Sequence, residues 1–204
     1  MKKITTLVIL AFAGINFAAA QAPALFGTCY SGGTMGYGTI FQADMHGSNL
    51  HAVYSFLNPE GAMPWGKIAQ APSGKIYGVT FLGGCVDSCT LYEYDPIAHT
   101  CVDVHDFYCN PPYSGEPSQG GLIILPDGNL YGTAQLGGNQ NLGTAFELSP
   151  DGTVKVLHNF HGLKDGAVPF AGLFRDQDGH LYGTAFKNFL IQIDQGGNVF
   201  EITP

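Results

Sequence analysis

Charge is scarce in this chain, and positive charge scarcest: only 12% of its 204 residues are charged, with 8 Lys and Arg against 16 Asp and Glu. Without a Lys/Arg cluster, and at a formal net charge of -8, it lacks the electrostatic footprint that nucleic acid or an anionic membrane surface requires. Beyond the N-terminus there is no long apolar run, so no integral membrane segment is expected in the mature chain. Catalytic signatures are missing too. No Ser-His-Asp order, paired-carboxylate motif or phosphate loop stands out, and no Cys-x-x-Cys pair with His spacing marks a zinc site. No catalytic residue, metal or cofactor is therefore expected.

What is present begins with Met1-Lys2-Lys3, an apolar run from Ile4 to Phe17, and Ala18-Ala19-Ala20. Charged start, apolar core and small-residue cleavage site read as a secretory signal peptide over residues 1–20. Cleavage after Ala20 leaves 184 of the 204 residues as one domain, 21–204, and takes the net charge to about -10 through loss of Lys2 and Lys3. The expected location is secreted, periplasmic or envelope-associated. The 29 glycines suit many short strands joined by tight turns, with few long helices.

A repeat organises the rest. "SGKIYGVTFLGG" (Ser73 to Gly84), "DGNLYGTAQLGG" (Asp127 to Gly138) and "DGHLYGTAFKNF" (Asp178 to Phe189) are copies, with a decayed one, "ALFGTCYSGG", at Ala24 to Gly33. Their central glycines, Gly27, Gly78, Gly132 and Gly183, lie 51, 54 and 51 residues apart, a spacing that signals a propeller or solenoid. One unit divides into runs at Leu122 to Leu125, Leu130 to Ala134, Thr144 to Leu148 and Val154 to Phe160. Asp127-Gly128, Gly137-Gly138 and Asp151-Gly152 supply the turns between them. The reading is an all-β fold: a β-propeller-like domain of about four blades, each a four-stranded antiparallel meander, with units near 24–63, 64–116, 117–168 and 169–204.

"DGNLYGTA", "DGHLYGTA", "GTIF" (Gly38 to Phe41), "GTAF" (Gly143 to Phe146), "LHNF" (Leu157 to Phe160) and "DGAVP" (Asp165 to Pro169) together resemble the GloVer-containing choice-of-anchor tandem repeat family of bacteria. The resemblance spans nearly the whole mature chain. It implies a β-propeller-like repeat on an exported protein, and brings no established activity. Unit two departs from the pattern with "CTLYEY", and the last unit lacks its glycine corner.

Inner strands are expected near Trp65 to Ala71, Gly121 to Leu125 and Ala171 to Phe174, making three units complete. The first unit enters at its second strand, so the ring is either four-bladed, incompletely closed, or closed by a homodimer. Loops at the glycine corners and "DG-x-x-P" connectors vary between units, whereas the Asp-Gly turns are short and alike, so the variable rim is the expected ligand face. Its candidate residues are Tyr30, Glu60, Trp65, Tyr113, Asn139, Asn141, Lys164, Asp165 and Phe170. Glu60-Gly61 and Asp165-Gly166 equally read as plain turns, and Trp65 either offers a flat contact face or packs between blades as Phe170 does after Pro169.

Five cysteines in an exported chain point to disulfides. Cys85 and Cys89 flank one corner and are the expected pair. Cys101 and Cys109 lie about 26 Å apart if extended, too far to bridge, and Cys29 is left free or bonded to another loop. His105 and His158 fall at one repeat position, with Tyr54 in the first unit, which favours a packed core histidine. Tyr77, Tyr131, Tyr182 and Phe26 form a repeating aromatic layer. Two function classes follow: a binding module for a glycan, peptide or protein, or a small propeller lyase or hydrolase using rim carboxylates and a histidine such as His180.

Overall fold

Every strand in the computed structural model is antiparallel to its neighbour in the sheet, and the hairpins follow chain order. The structure describes residues 24–57, 61–84, 89–107, 117, 120–162, 165–186 and 196–203. Blade one comprises β1 (Ala24–Cys29), β2 (Thr39–Asp44) and β3 (His51–Ser55). Blade two runs through β4 (Ala62–Gln70), β5 (Ile76–Leu82), β6 (Thr90–Asp95) and β7 (Thr100–Asp106). Blade three holds β8 (Ile123–Ile124), β9 (Leu130–Ala134), β10 (Thr144–Leu148) and β11 (Val154–Asn159), and blade four β12 (Phe174–Arg175), β13 (Leu181–Phe186) and β14 (Gly197–Ile202). The fold is β-propeller-like, and no helix occurs among the described residues.

Why the repeat keeps its glycine is visible in the register. Gly27, Gly78, Gly132 and Gly183 pair with Phe41, Tyr92, Phe146 and Phe200 on the next strand. The tip of each aromatic ring reaches over its glycine, into the space that a Cβ would fill. Close approach, rather than turn conformation, fixes this residue.

The same aromatics then join blade to blade. Phe56 meets Tyr92, Phe107 meets Phe146 and Phe160 meets Phe200, with centroids 5.0, 5.5 and 5.0 Å apart and rings near edge-on. The phenylalanine closing each outer strand therefore clamps the third-strand aromatic of the following blade. Around these pairs sit three cores: Ile40, Ile76 and Tyr94 between blades one and two, Val79, Leu91, Leu130 and Leu148 between two and three, Ala145 and Ala185 between three and four. Among the described residues no such cluster joins blade four back to blade one.

Two expectations need correction. The fourth blade shows three strands among the described residues where four were expected: "GNVFEI" is β14 and takes the third position against β13. The inner strands also differ from their expected extents. β8 and β12 are two residues long; beside β8, Leu122 N–H is directed to the Lys67 carbonyl of the neighbouring inner strand (3.4 Å) rather than into its own ladder. β4 is longer and bulged between Trp65 and Ala69.

Candidate functional site

The inner strands β4, β8 and β12 converge until their main chains touch: Gly121 abuts the Lys67 backbone and Gly120 abuts Gly172. Glycine is needed there because a side chain would force these strands apart. Toward the hairpin-turn end they separate and leave a groove of about 640 Å³. Its floor is apolar, with Ile123, Ile124, Leu173 and Phe174, and its polar groups are Lys67, Gln70 and Arg175. Gln70, Ile124 and Arg175 each stand eight residues before the repeat glycine, so one strand position presents all three toward the axis.

The charges in this groove differ from the others. Lys75 pairs with Glu93 at 2.6 Å and Lys155 with Glu147 at 3.7 Å, whereas Lys67 and Arg175 form no ion pair among the described residues. An acidic protein thus directs its two uncommitted described cations to one axial recess. The opposite rim was the expected ligand face, and the groove was not anticipated. The signal available was the offset shared by Gln70 and Arg175, together with the rarity of basic residues.

On the variable rim the structure brings together two candidates. Tyr30 and Trp65 have centroids 6.0 Å apart and line a recess of about 330 Å³ with Thr28, Pro64 and Gly66. Trp65 is half-buried, stacked on Phe81 at 5.1 Å, and packs against the core between blades two and three. Phe170 is exposed and lines a separate recess of about 320 Å³ on blade four with Thr184 and Phe186. Asn141 sits at φ 54° and accepts a hydrogen bond from Gly137 N–H at 2.8 Å, while Asn139 N–H donates to Asn159 at 3.0 Å. The Asn141 side chain and the Asn139 backbone thus help to build the corner. Glu60, Tyr113, Lys164, Cys85 and Cys109 lie outside the described residues.

The histidines separate by environment. His105 is buried beside Phe107, with its Nε2 facing no hydrogen-bond partner. His158 is half-exposed and its Nε2 lies 2.8 Å from Asp165, so at this repeat position the packed-histidine expectation holds for one residue and not the other. His161 joins the same carboxylate at 3.3 Å. His180 is engaged by Glu201 at 2.6 Å and does not line the axial groove. The tyrosine layer anchors the turn rim: Tyr77 donates to Glu93 at 2.6 Å and Tyr131 to Asp127 at 3.1 Å. Burial, then these acidic neighbours, hold the Tyr77 phenol well above its usual range and push Tyr131 up to about 12. The Cys89 thiol is buried and donates to the Phe81 carbonyl at 3.5 Å.

The structural likeness extends to TolB from Agrobacterium tumefaciens, at 12% identity and a TM-score of 0.55, covering 87% of this chain and 60% of that one. TolB from Acinetobacter baumannii is similar at 15% identity and a TM-score of 0.51, covering 81% of this chain and 35% of that one. The chain therefore spans only part of either protein, and at such identities the likeness carries the fold alone. No curated protein matches the sequence. The Gloeobacter/Verrucomicrobia repeat matches it over residues 15–204, so the chain belongs to the Gloeobacter/Verrucomicrobia repeat family.

Proposed function

We propose that this protein is an exported repeat scaffold that binds an acidic ligand, a carboxylate-bearing glycan or peptide, along its axial groove. The observation that carries the reading is the pair of uncommitted cations, Lys67 and Arg175, above an apolar floor in a chain of net charge -8. Cations in a concave, partly apolar recess attract anions more strongly than the same groups on an open surface, because the walls lower the local dielectric. Arg175 further offers a planar fork suited to a carboxylate. Residues 1–20 are the export signal in this reading, and Cys85 with Cys89 forms a corner disulfide in the oxidising destination. The Tyr30 and Trp65 recess is a second, flatter contact surface on the opposite rim.

The test is binding of the mature protein to polygalacturonate, with neutral dextran as control. Retention on polygalacturonate should weaken with added salt, and the double variant Lys67→Glu, Arg175→Glu should lose at least about tenfold in affinity, as reversal of two half-screened contacts implies. Equal binding to dextran, or no effect of the double variant, would remove the groove as the ligand site.

A further inference from the structure

Where the third blade hands over to the fourth, Gly162 and Gly166 form an isolated antiparallel bridge. Gly162 and Gly166 exchange backbone hydrogen bonds at 2.9 and 2.8 Å, which closes the loop and brings His161 and Asp165 side by side. His158 reaches the same point from the end of β11. Its Nε2, the His161 Nδ1 and a carboxylate oxygen of Asp165 all lie within 4.8 Å of one another. The carboxylate is fixed before any ligand arrives, since the His161 backbone N–H lies 3.1 Å from each of its oxygens.

We propose that His158, His161 and Asp165 form a binding site for a divalent transition-metal ion of the zinc type. Two imidazoles and one carboxylate are a donor set that such ions accept, with metal–ligand distances near 2.0–2.2 Å. Ligand atoms around a tetrahedral ion at that distance stand about 3.3 Å apart, and cis ligands of an octahedral one about 2.9 Å. The two nitrogen-to-carboxylate separations, 3.3 and 2.8 Å, already fall at these values. The two imidazoles, whose ligand atoms lie within 4.8 Å of each other, complete the set when the exposed His161 ring moves inward. All three side chains are partly open to solvent, so water or a donor from a bound ligand fills the remaining positions. Binding replaces the hydrogen bonds of the imidazoles to Asp165 with metal bonds.

The rest of the chain separates this site from ordinary repeat packing. At the positions of His158, His161 and Asp165 the first unit has Tyr54, Leu57 and Glu60, and the second has His105 and Tyr108 at the first two. The blade junction between units one and two is formed without an imidazole at either place, so a blade needs neither histidine to pack. The His161 ring approaches the Asp165 carboxylate at 3.3 Å and pairs with the His158 ring at 6.1 Å.

Titrating the metal-free mature protein with Zn²⁺ by calorimetry, and with Co²⁺ by visible absorption, tests the site. One ion per chain is expected, with Co²⁺ bands showing nitrogen ligation and no comparable uptake of Mg²⁺. His161→Ala leaves the half-exposed His158–Asp165 pair in place and should weaken Zn²⁺ binding by at least about tenfold. Asp165→Asn, which can still accept the His161 N–H, should do the same without unfolding the loop. Unchanged affinity in both variants would assign the ion to other exposed histidines, such as His46, His51 and His99, and overturn the proposal. Failure to bind Zn²⁺ at stoichiometric concentration would overturn it equally, whatever the axial groove binds.

Discussion

At the repeat glycine the deciding neighbour is an aromatic ring. Gly132 faces Phe146 and Leu122, and a Cβ there would stand 2.9 and 2.8 Å from their side-chain carbons. Phe146 is fully buried and clamped by Phe107, so it has nowhere to swing. Gly132→Ala should therefore lose about 1–3 kcal/mol through overpacking. A double-mutant cycle with Phe146→Leu checks this: removing the ring should make the alanine less costly, the contact with Leu122 setting what remains, and additive losses would show that the ring does not contribute to the cost. The glycine was legible as a repeat marker, but its reason was not, because the clash appears only once β9 and β10 are in register. The His158–His161–Asp165 set was hidden for a related cause. Its members are spread over eight residues and meet only through the closed hairpin, so no linear spacing announces a metal site.

For the strands, legibility followed how local the forces are. β9 and β10 run from Leu130 to Ala134 and Thr144 to Leu148, as alternation and the flanking turns require, since cross-strand pairs within one hairpin determine them. The inner strands were less readable because their ends depend on contacts with the next blade, as the Leu122 to Lys67 hydrogen bond shows. β7 brings a pH dependence that follows from such a contact. His105, near its end, is buried against Phe107 and beside the Gly152 turn of blade three. Burial lowers its affinity for a proton, and outweighs the opposing hydrogen bond to Gly152 and the charge of Asp106. A histidine depressed in the folded state binds fewer protons folded than unfolded, so it costs nothing above its unfolded pKa of about 6.5 and subtracts stability as pH falls below that value. Urea unfolding at pH 7 and pH 5 should show that loss, and His105→Leu should make the difference smaller. An identical difference in the variant would mean that His105 does not set it.

Considered whole, the four blades form a series with two unlike ends among the described residues. In blades two, three and four, the face carrying the glycine and its aromatic packs on the preceding blade; in blade one the same face, with Gly27, Phe41 and Leu25, has no preceding blade among the described residues, and Leu25 is exposed. At the other end, blade four exposes Phe174, Phe186 and Val199 on the face that would meet a following blade. These are the two halves of a junction that the chain makes three times within itself, so a second copy is the expected occupant to test. Burying Phe186 and Val199 against Leu25 and Phe41 removes apolar area worth about 25 cal/mol per Å², the same gain that holds neighbouring blades together. The expected contact is head to tail, and two such contacts make a dimer if they close around a shared axis. Light scattering across a concentration series should show association of the mature protein, and Leu25→Asp or Val199→Asp should each give monomers, since in a pure variant every junction contains one damaged face. Mixing the two variants should restore a single intact junction and hence a dimer, because the sound blade-four face of one chain meets the sound blade-one face of the other. A monomeric parent protein, or two variants that stay monomeric when mixed, would rule out head-to-tail pairing.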